Sequence, residues 1–218
     1  KQVWTMATEF SREFFSANRI VKADLRAARQ PREDDITRIK AEVKKLYDAT
    51  DFDLFYYHDD WGSKQSLFIS PDTWREFIKP QYKRSYKYMK DHGVIIMHHA
   101  DSFMEPIIED MVDLGIDIWQ GTLPQNDIPK LQKQLNGRMT LMGGIDASIV
   151  DRVDSTEEEI RKEVRRACEE YAPHGHFIPC ITYGGPGCLF PHVDSIIDDE
   201  IEKYNKEHSC NSLKAPIE

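Results

Sequence analysis

Apolar and polar positions along most of this chain alternate between two kinds of segment. Five short apolar runs predict buried strands at 52–57, 94–98, 116–119, 139–142 and 176–181. In the segments between these runs, apolar residues recur three and four positions apart, which predicts helices with one buried face. Strands and helices that alternate in this way predict a parallel sheet joined by right-handed crossovers.

Local signals mark where several of these helices begin and end. Ser70-Pro71 opens a helix, with serine as the N-cap, and Pro80 should kink that helix or split it in two. Capping boxes are predicted at Ser102–Glu105 and at Ser155–Glu158. Asn136-Gly137 should close a short helix, because asparagine and glycine tolerate the left-handed backbone found after a helix end.

The predicted architecture is an α/β fold of the (β/α)₈ TIM-barrel type. Polar residues follow several of the strands, and neither a GxGxxG turn nor a P-loop is present to support a nucleotide-binding fold. A barrel needs eight strands and roughly 250 residues. We therefore expect this chain to supply only the later strands and helices. The predicted divisions are a helical N-terminal segment at 1–50, acting as external helices or a lid, the barrel portion at 51–207, and a polar tail at 208–218.

Composition narrows the classes of partner and compartment. A formal net charge of −9 argues against a nucleic-acid partner, which would require a basic face. No apolar run is long enough to cross a membrane, and the first residues lack the apolar core of a signal peptide. The cysteines form no CxxC pair, which suits a reducing cytoplasm better than a disulfide scaffold. They are Cys168, Cys180, Cys188 and Cys210.

Two histidines follow the second predicted strand and are candidates for chemistry. His98 and His99 are adjacent, so on a strand their side chains point to opposite faces unless the strand ends between them. Each fits either a hydrogen-bonded structural role or a role as metal ligand or acid–base group. Cys180, at the end of the fifth strand, could join a histidine on zinc, or could be a small buried apolar residue.

Carboxylates also close two of the predicted strands. Asp60 follows the first strand and Asp146 follows the fourth. A carboxylate at such a position either caps the next helix or faces a substrate, and both readings stay open here. His58 and Asp101 lie at similar positions and are weaker candidates.

Five segments, taken in order, resemble the uroporphyrinogen decarboxylase superfamily, and most closely its branch of corrinoid-dependent methyltransferases. That branch includes methylcobalamin:coenzyme M methyltransferases and O-demethylase components. The segments are 57–63, 68–72, 92–98, 115–119 and 143–146. The resemblance covers roughly residues 50–205 and implies a (β/α)₈ barrel. The arginine-rich N-terminal segment of the true decarboxylase has no counterpart in this sequence.

The resemblance also implies a set of metal ligands. In the methyltransferase branch, zinc is bound by a His-x-Cys pair after one strand and by a cysteine after the last. His98 matches the histidine and Cys180 the late cysteine, whereas Ala100 stands at the middle position and cannot bind metal. His99 or Asp101 could take its place, with Asp60 or Glu105 as a further oxygen donor.

The function implied by the resemblance is methyl transfer between a small methyl donor or acceptor and a corrinoid carried by a separate protein. Zinc would convert a thiol to a thiolate or polarise an ether oxygen. The residues predicted to orient substrate or take part in catalysis are Asp60, Asp146 and His99, and those predicted to contact substrate are Trp61, Trp119 and Tyr183.

Two other functions remain open from the sequence. Decarboxylation of a porphyrinogen needs no metal but needs cations for several substrate carboxylates, and the arginines here fall mainly on predicted helices. A non-catalytic barrel that binds a partner protein is the second alternative. An incomplete barrel exposes sheet edges, which favour pairing, so a homo-oligomer is also possible.

Overall fold

The computed structural model describes residues 53–182 and 188–212, together with the isolated Ala41. The predicted helices within 1–50 and the candidate Tyr183 lie outside these residues. Contacts divide the chain into two compact units, the first ending at Trp119 and the second beginning at Gln120. The two units are therefore described separately.

The first unit contains two complete strands and the helices that follow them. Its elements are β1 Leu54–His58, α1 Pro71–Phe77, α2 Lys79–Asp91, β2 Ile95–His99, a 3₁₀ turn Glu105–Ile107 and α3 Ile108–Asp113. Strand β1 pairs with β2 in parallel. A third strand, β3 Ile118–Thr122, begins in this unit and ends in the next.

The second unit continues the same alternation. Its elements are α4 Ile128–Leu135, β4 Thr140–Ile145, α5 Ala147–Val150, α6 Glu157–Tyr171, a 3₁₀ turn Ala172–His174, β5 Phe177–Ile181 and α7 Pro191–Ser212. Strands β4 and β5 are parallel. Within the described residues the strands form one five-stranded sheet in the order β1-β2-β3-β4-β5, which confirms the predicted parallel α/β sheet.

The predicted helix ends agree with the structure in part. Pro80 lies in the first turn of α2, so the long helix is split as expected. The capping box at Ser102–Glu105 is wrong, because the turn there begins after Met104 without a side-chain cap. The second capping box lies one residue later than predicted, at Thr156–Glu159.

Each unit has its own core. In the first, aromatic side chains of β1 and α2 pack together, and the tyrosines Tyr57, Tyr82 and Tyr86 meet edge to face. In the second, α6 buries one face that recurs at helical spacing, made of Ile160, Val164, Ala167, Cys168 and Tyr171.

Helix α7 extends beyond the predicted end near residue 206. At the predicted end, Arg165 of α6 pairs with both Glu200 and Glu207 of α7. In the described part of the chain, no helix is long and apolar enough to cross a membrane.

Candidate metal centre

The ends of β1 and β2 bring two histidines side by side. The parallel register pairs Leu54 with Ile95, Tyr56 with Met97 and His58 with His99. Because side chains alternate along a strand, these three pairs share one face of the sheet. That face is apolar along most of its length and becomes polar at its carboxyl end, where chemistry concentrates in parallel α/β folds.

Three side chains at this end form a cluster that could hold a metal ion. One ligand atom from each of His58, Asp60 and His99 lies within 4.8 Å of the others. His99 Nε2 is 3.3 Å from Asp60 Oδ1, and the two imidazole rings stack with centroids 4.3 Å apart. His99 is 1 % exposed, whereas the Asp60 side chain is 39 % exposed. The cluster is therefore buried on one side and open on the other.

A fourth polar side chain, Asp101, borders the cluster. Its Oδ1 lies 3.6 Å from His99 Nε2, and its backbone N–H donates to Asp60 Oδ1 at 3.0 Å. The Asp101 Oδ1 atom is buried and has no hydrogen-bond partner among the described residues. A buried acceptor of this kind is costly unless something satisfies it, and a cation would do so.

Backbone hydrogen bonds fix the two loops that carry the cluster. The Asp59 N–H donates to the His99 carbonyl at 3.1 Å, and the Gly62 N–H donates to the Asp101 carbonyl at 3.0 Å. Two loops that are tied to each other at both positions hold their side chains at a constant spacing. The cluster is therefore preorganised before any ligand binds.

Burial and neighbouring charges set the protonation of the cluster. Burial lowers the pKa of His58, and the nearby His99 lowers it further. Burial by itself would raise the pKa of Asp60, but hydrogen bonds from His99 and from the Asp101 backbone bring it below its usual value. Burial raises the pKa of Asp101, and repulsion from Asp60 adds to the rise. The set therefore favours a neutral His58 imidazole beside an ionised Asp60.

His98, the predicted metal ligand, lies on the other face of β2. Its imidazole is 0 % exposed, stacks on Trp61 with centroids 4.1 Å apart, and shares a 2.6 Å hydrogen bond between Nδ1 and the Tyr86 hydroxyl. Burial holds the pKa of His98 well below its usual value, and the charge of His99 acts in the same direction. Because adjacent residues alternate, it is His99 that reaches the cluster. A metal-binding role for His98 stays a prediction.

The two tryptophans predicted to contact substrate are buried. Trp61 packs edge to face on Trp74, and its indole N–H donates to Asp59 Oδ2 at 3.2 Å. Trp119 donates its indole N–H to the Ala100 carbonyl at 2.9 Å. These contacts stabilise the loops that follow β1 and β2. A direct substrate contact by either tryptophan stays a prediction.

Two candidates belong to the second unit. Asp146 is the N-cap of α5, and its Oδ1 accepts from the Ser148 N–H at 2.9 Å and from the Ser148 hydroxyl at 2.7 Å. Cys180 lies on β5, where burial raises the pKa of its thiol to about 12 although a hydrogen bond with Gln120 opposes the rise. The capping reading of Asp146 thus has a structural basis. The catalytic role of Asp146 and the zinc-ligand role of Cys180 stay predictions.

His58 is the member of the cluster that the sequence interpretation treated as a weaker candidate. The signal that could have raised it is the spacing of the two apolar strands. Each strand places an apolar residue four and two positions before its final histidine, as Leu54 and Tyr56 precede His58. Alternate positions before His99 give the same pattern, but those before His98 do so too, and it is the register of β1 on β2 that places His58 and His99 on the same face.

Residues 53–184 match the profile of the uroporphyrinogen decarboxylase (URO-D) family. Since this match covers more than half of the sequence, the chain belongs to that family. The predicted family is therefore confirmed, and members of this family are enzymes.

Curated relatives support the same family at low identity. The chain is 26 % identical over 215 residues to a uroporphyrinogen decarboxylase of Chlorobaculum parvum, covering 95 % of this chain and 58 % of that protein. It is 28 % identical over 161 residues to a uroporphyrinogen decarboxylase of Chlorobaculum tepidum, covering 72 % of this chain and 43 % of that protein. The chain thus spans about half the length of the curated relatives it matches.

A solved structure shows the fold. A methyltransferase from Methanosarcina mazei superposes with a TM-score of 0.57 at 18 % sequence identity, covering 78 % of this chain and 48 % of that chain. The described part of the chain therefore has the α/β architecture of a TIM-barrel protein, as the strand pattern predicted.

Proposed function

We propose that this chain is a metal-assisted methyltransferase of the URO-D family. It would move a methyl group between a small substrate and a corrinoid carried by a separate protein. The observation that carries this proposal is the cluster of His58, Asp60 and His99 at the carboxyl end of the sheet. The fold it shares with a protein described as a methyltransferase supports the same reading.

The residues of the cluster fit a divalent cation. Two imidazole nitrogens and one carboxylate oxygen form a ligand set that suits zinc and other first-row divalent metals. The 3.3 Å between His99 Nε2 and Asp60 Oδ1 is a spacing that two ligands of one ion can adopt. Three protein ligands also leave a coordination position for a substrate, as in catalytic rather than structural metal sites.

Each side chain has a defined part in this proposal. A bound cation would act as a Lewis acid on the thiol or ether oxygen of the substrate. The lowered pKa of His58 keeps its ring neutral, so a nitrogen lone pair is available near neutral pH. Asp60 supplies negative charge at the open side of the cluster, and Asp101 places a further carboxyl oxygen beside His99.

Decarboxylation of a porphyrinogen is the second candidate. The names of the two curated relatives favour it, since both are uroporphyrinogen decarboxylases. Such a substrate carries several carboxylates and needs cationic groups to hold them. The cluster instead contains the carboxylate of Asp60 and is bordered by the carboxylate of Asp101. This local charge favours a cation over an anionic substrate group.

Metal content distinguishes the two candidates. We expect the purified 218-residue chain, loaded with Zn²⁺ and separated from free metal, to retain about one ion per chain, because the three-ligand cluster is preorganised. The His99→Ala variant should retain almost none. The His98→Asn variant, which keeps a polar group that can form a hydrogen bond with the Tyr86 hydroxyl, should retain the ion. Metal is measured by inductively coupled plasma mass spectrometry.

Circular dichroism of each variant serves as the control for folding. A folded His99→Ala chain that keeps its full metal content would contradict the assignment of the metal to this cluster. Loss of metal in His98→Asn but not in His99→Ala would show that His98, and not His99, binds the metal. Absence of metal from the unsubstituted chain would favour the decarboxylase reading.

A further inference from the structure

The residues next to the candidate ligands point away from the cluster, towards helix α2. Asp59 lies between His58 and Asp60, and His98 immediately precedes His99. Both Asp59 and His98 have their side chains on the side of the sheet that packs against α2, where each contacts a tyrosine. The backbone at each strand end is therefore held from one side while the ligands project from the other.

Helix α2 supplies the two groups that hold these residues. The Tyr82 hydroxyl donates to Asp59 Oδ2 at 2.5 Å, and the Tyr86 hydroxyl forms a 2.6 Å hydrogen bond with His98 Nδ1. Residues four apart lie on the same face of a helix, one turn above the other. One face of α2 thus forms hydrogen bonds with residues at the ends of both strands that carry the cluster.

These two hydroxyls are buried within the core of the first unit. Tyr82 is 3 % exposed and Tyr86 is 1 % exposed. Burial raises the pKa of Tyr82 well above its usual value, and the charge of Asp59 raises it further. The Tyr82 phenol therefore stays protonated and remains a donor across the physiological range.

We propose that Tyr82 and Tyr86 are positioning residues that set the spacing between His58, Asp60 and His99. This inference rests on the metal site of the proposed function. Ligand atoms must hold their places within a fraction of an ångström for tight binding, and partners behind the ligands commonly account for tenfold or more in metal affinity. The tyrosines act through Asp59 and His98, the residues with which their hydroxyls form these hydrogen bonds.

The same helix offers a matched control. The Tyr88 hydroxyl is buried but forms no hydrogen bond among the described residues, and its ring packs on His92 at a centroid distance of 4.4 Å. Tyr88→Phe therefore removes the same atom from the same helix without releasing a strand end. A general effect of losing a tyrosine hydroxyl from α2 would appear in this variant too.

The experiment titrates Co²⁺ into the unsubstituted chain and into the Tyr82→Phe, Tyr86→Phe and Tyr88→Phe variants. Visible absorption of bound Co²⁺ reports both affinity and coordination geometry, and thermal unfolding of the metal-free chains reports folding. We expect Tyr82→Phe and Tyr86→Phe each to weaken Co²⁺ binding by about tenfold and to alter the absorption bands. Tyr88→Phe should leave affinity and spectrum unchanged.

The possible outcomes separate this inference from the proposed function. If the unsubstituted chain binds no Co²⁺, the metal site itself is wrong, and the positioning role fails with it. If the unsubstituted chain binds Co²⁺ and the two variants bind it equally well with the same spectrum, only the positioning role is overturned. A change in unfolding temperature with an unchanged spectrum would show that the tyrosines serve packing alone. Tyr82→Phe and Tyr86→Phe test the positioning role independently of each other. The experiment is therefore decisive if either variant folds.

Discussion

At the scale of single residues, adjacent positions on one strand have opposite chemical environments. The His98 ring is surrounded by aromatic rings and forms a hydrogen bond with the Tyr86 hydroxyl, while the His99 ring faces Asp60 and Asp101. Burial and the neighbouring histidine keep the pKa of His98 low, so its ring is neutral inside the core. The alternation of side chains along β2 thus separates a histidine that supports the fold from one that is available to a ligand.

Cys180 provides a residue-scale prediction about protonation. Burial raises the pKa of its thiol to about 12, so in the metal-free chain the reactive thiolate is scarce at pH 8. We expect iodoacetamide to modify Cys180 roughly a thousandfold more slowly than an ordinary cysteine of pKa about 8.5. The rate should continue to rise about tenfold per pH unit through pH 10, because a raised pKa delays ionisation. Mass spectrometry of the alkylated peptides gives the rates.

The unfolded chain in guanidinium is the reference for this measurement, since its thiols ionise near their ordinary pKa. A rate for Cys180 that levels off near pH 9 in the folded chain would show that its thiol is not shielded in this way.

The sequence predicted that His98 and His99 point to opposite faces unless the strand ends between them, and the family resemblance assigned His98 to the metal. Which of the two faces the site depends on where β2 ends and on what lies behind it. The strand extends to His99, one residue beyond the predicted end, and Tyr86 of α2 holds His98 on the helix side. The Tyr86 hydroxyl is twelve residues away in sequence, and its contact with His98 required the packed structure.

At the scale of elements, helix α6 shows how a local signal fixes a helix start. The Thr156 hydroxyl accepts from the Glu159 N–H at 3.2 Å, and Glu159 Oε2 accepts from the Thr156 N–H at 2.9 Å. Ser155, one residue earlier, also fits the capping pattern in sequence. Its hydroxyl instead donates to the Arg152 carbonyl at 2.9 Å, which leaves the cap to Thr156. The sequence therefore placed the capping box correctly to within one residue.

The Thr156 cap gives an element-scale prediction about stability. Thr156→Ala removes the oxygen that satisfies a free N–H in the first turn of α6, and should lower the free energy of unfolding by about 1 kcal/mol. Thr156→Ser keeps that oxygen and should stay close to the unsubstituted chain. Urea denaturation followed by circular dichroism measures both. Equal losses in the two variants would mean that the hydroxyl cap does not stabilise the helix.

At the scale of the whole molecule, the strand and helix order carried more information than any single motif. Five predicted strands, with the helices between them, gave the parallel sheet and the TIM-barrel type of fold. The metal cluster depended on register and distance, because His58 and His99 are 41 positions apart and meet only when β1 pairs with β2. The chain belongs to the URO-D family, and methyl transfer with a corrinoid partner is our proposal for it.

The most direct test of this account is anomalous diffraction at the zinc edge from crystals of the Zn²⁺-loaded 218-residue chain. We predict a single strong peak within about 2.2 Å of a nitrogen of His58, a nitrogen of His99 and an oxygen of Asp60. A peak bound to His98, or no peak beside His99 in crystals that contain the metal, would contradict the central claim.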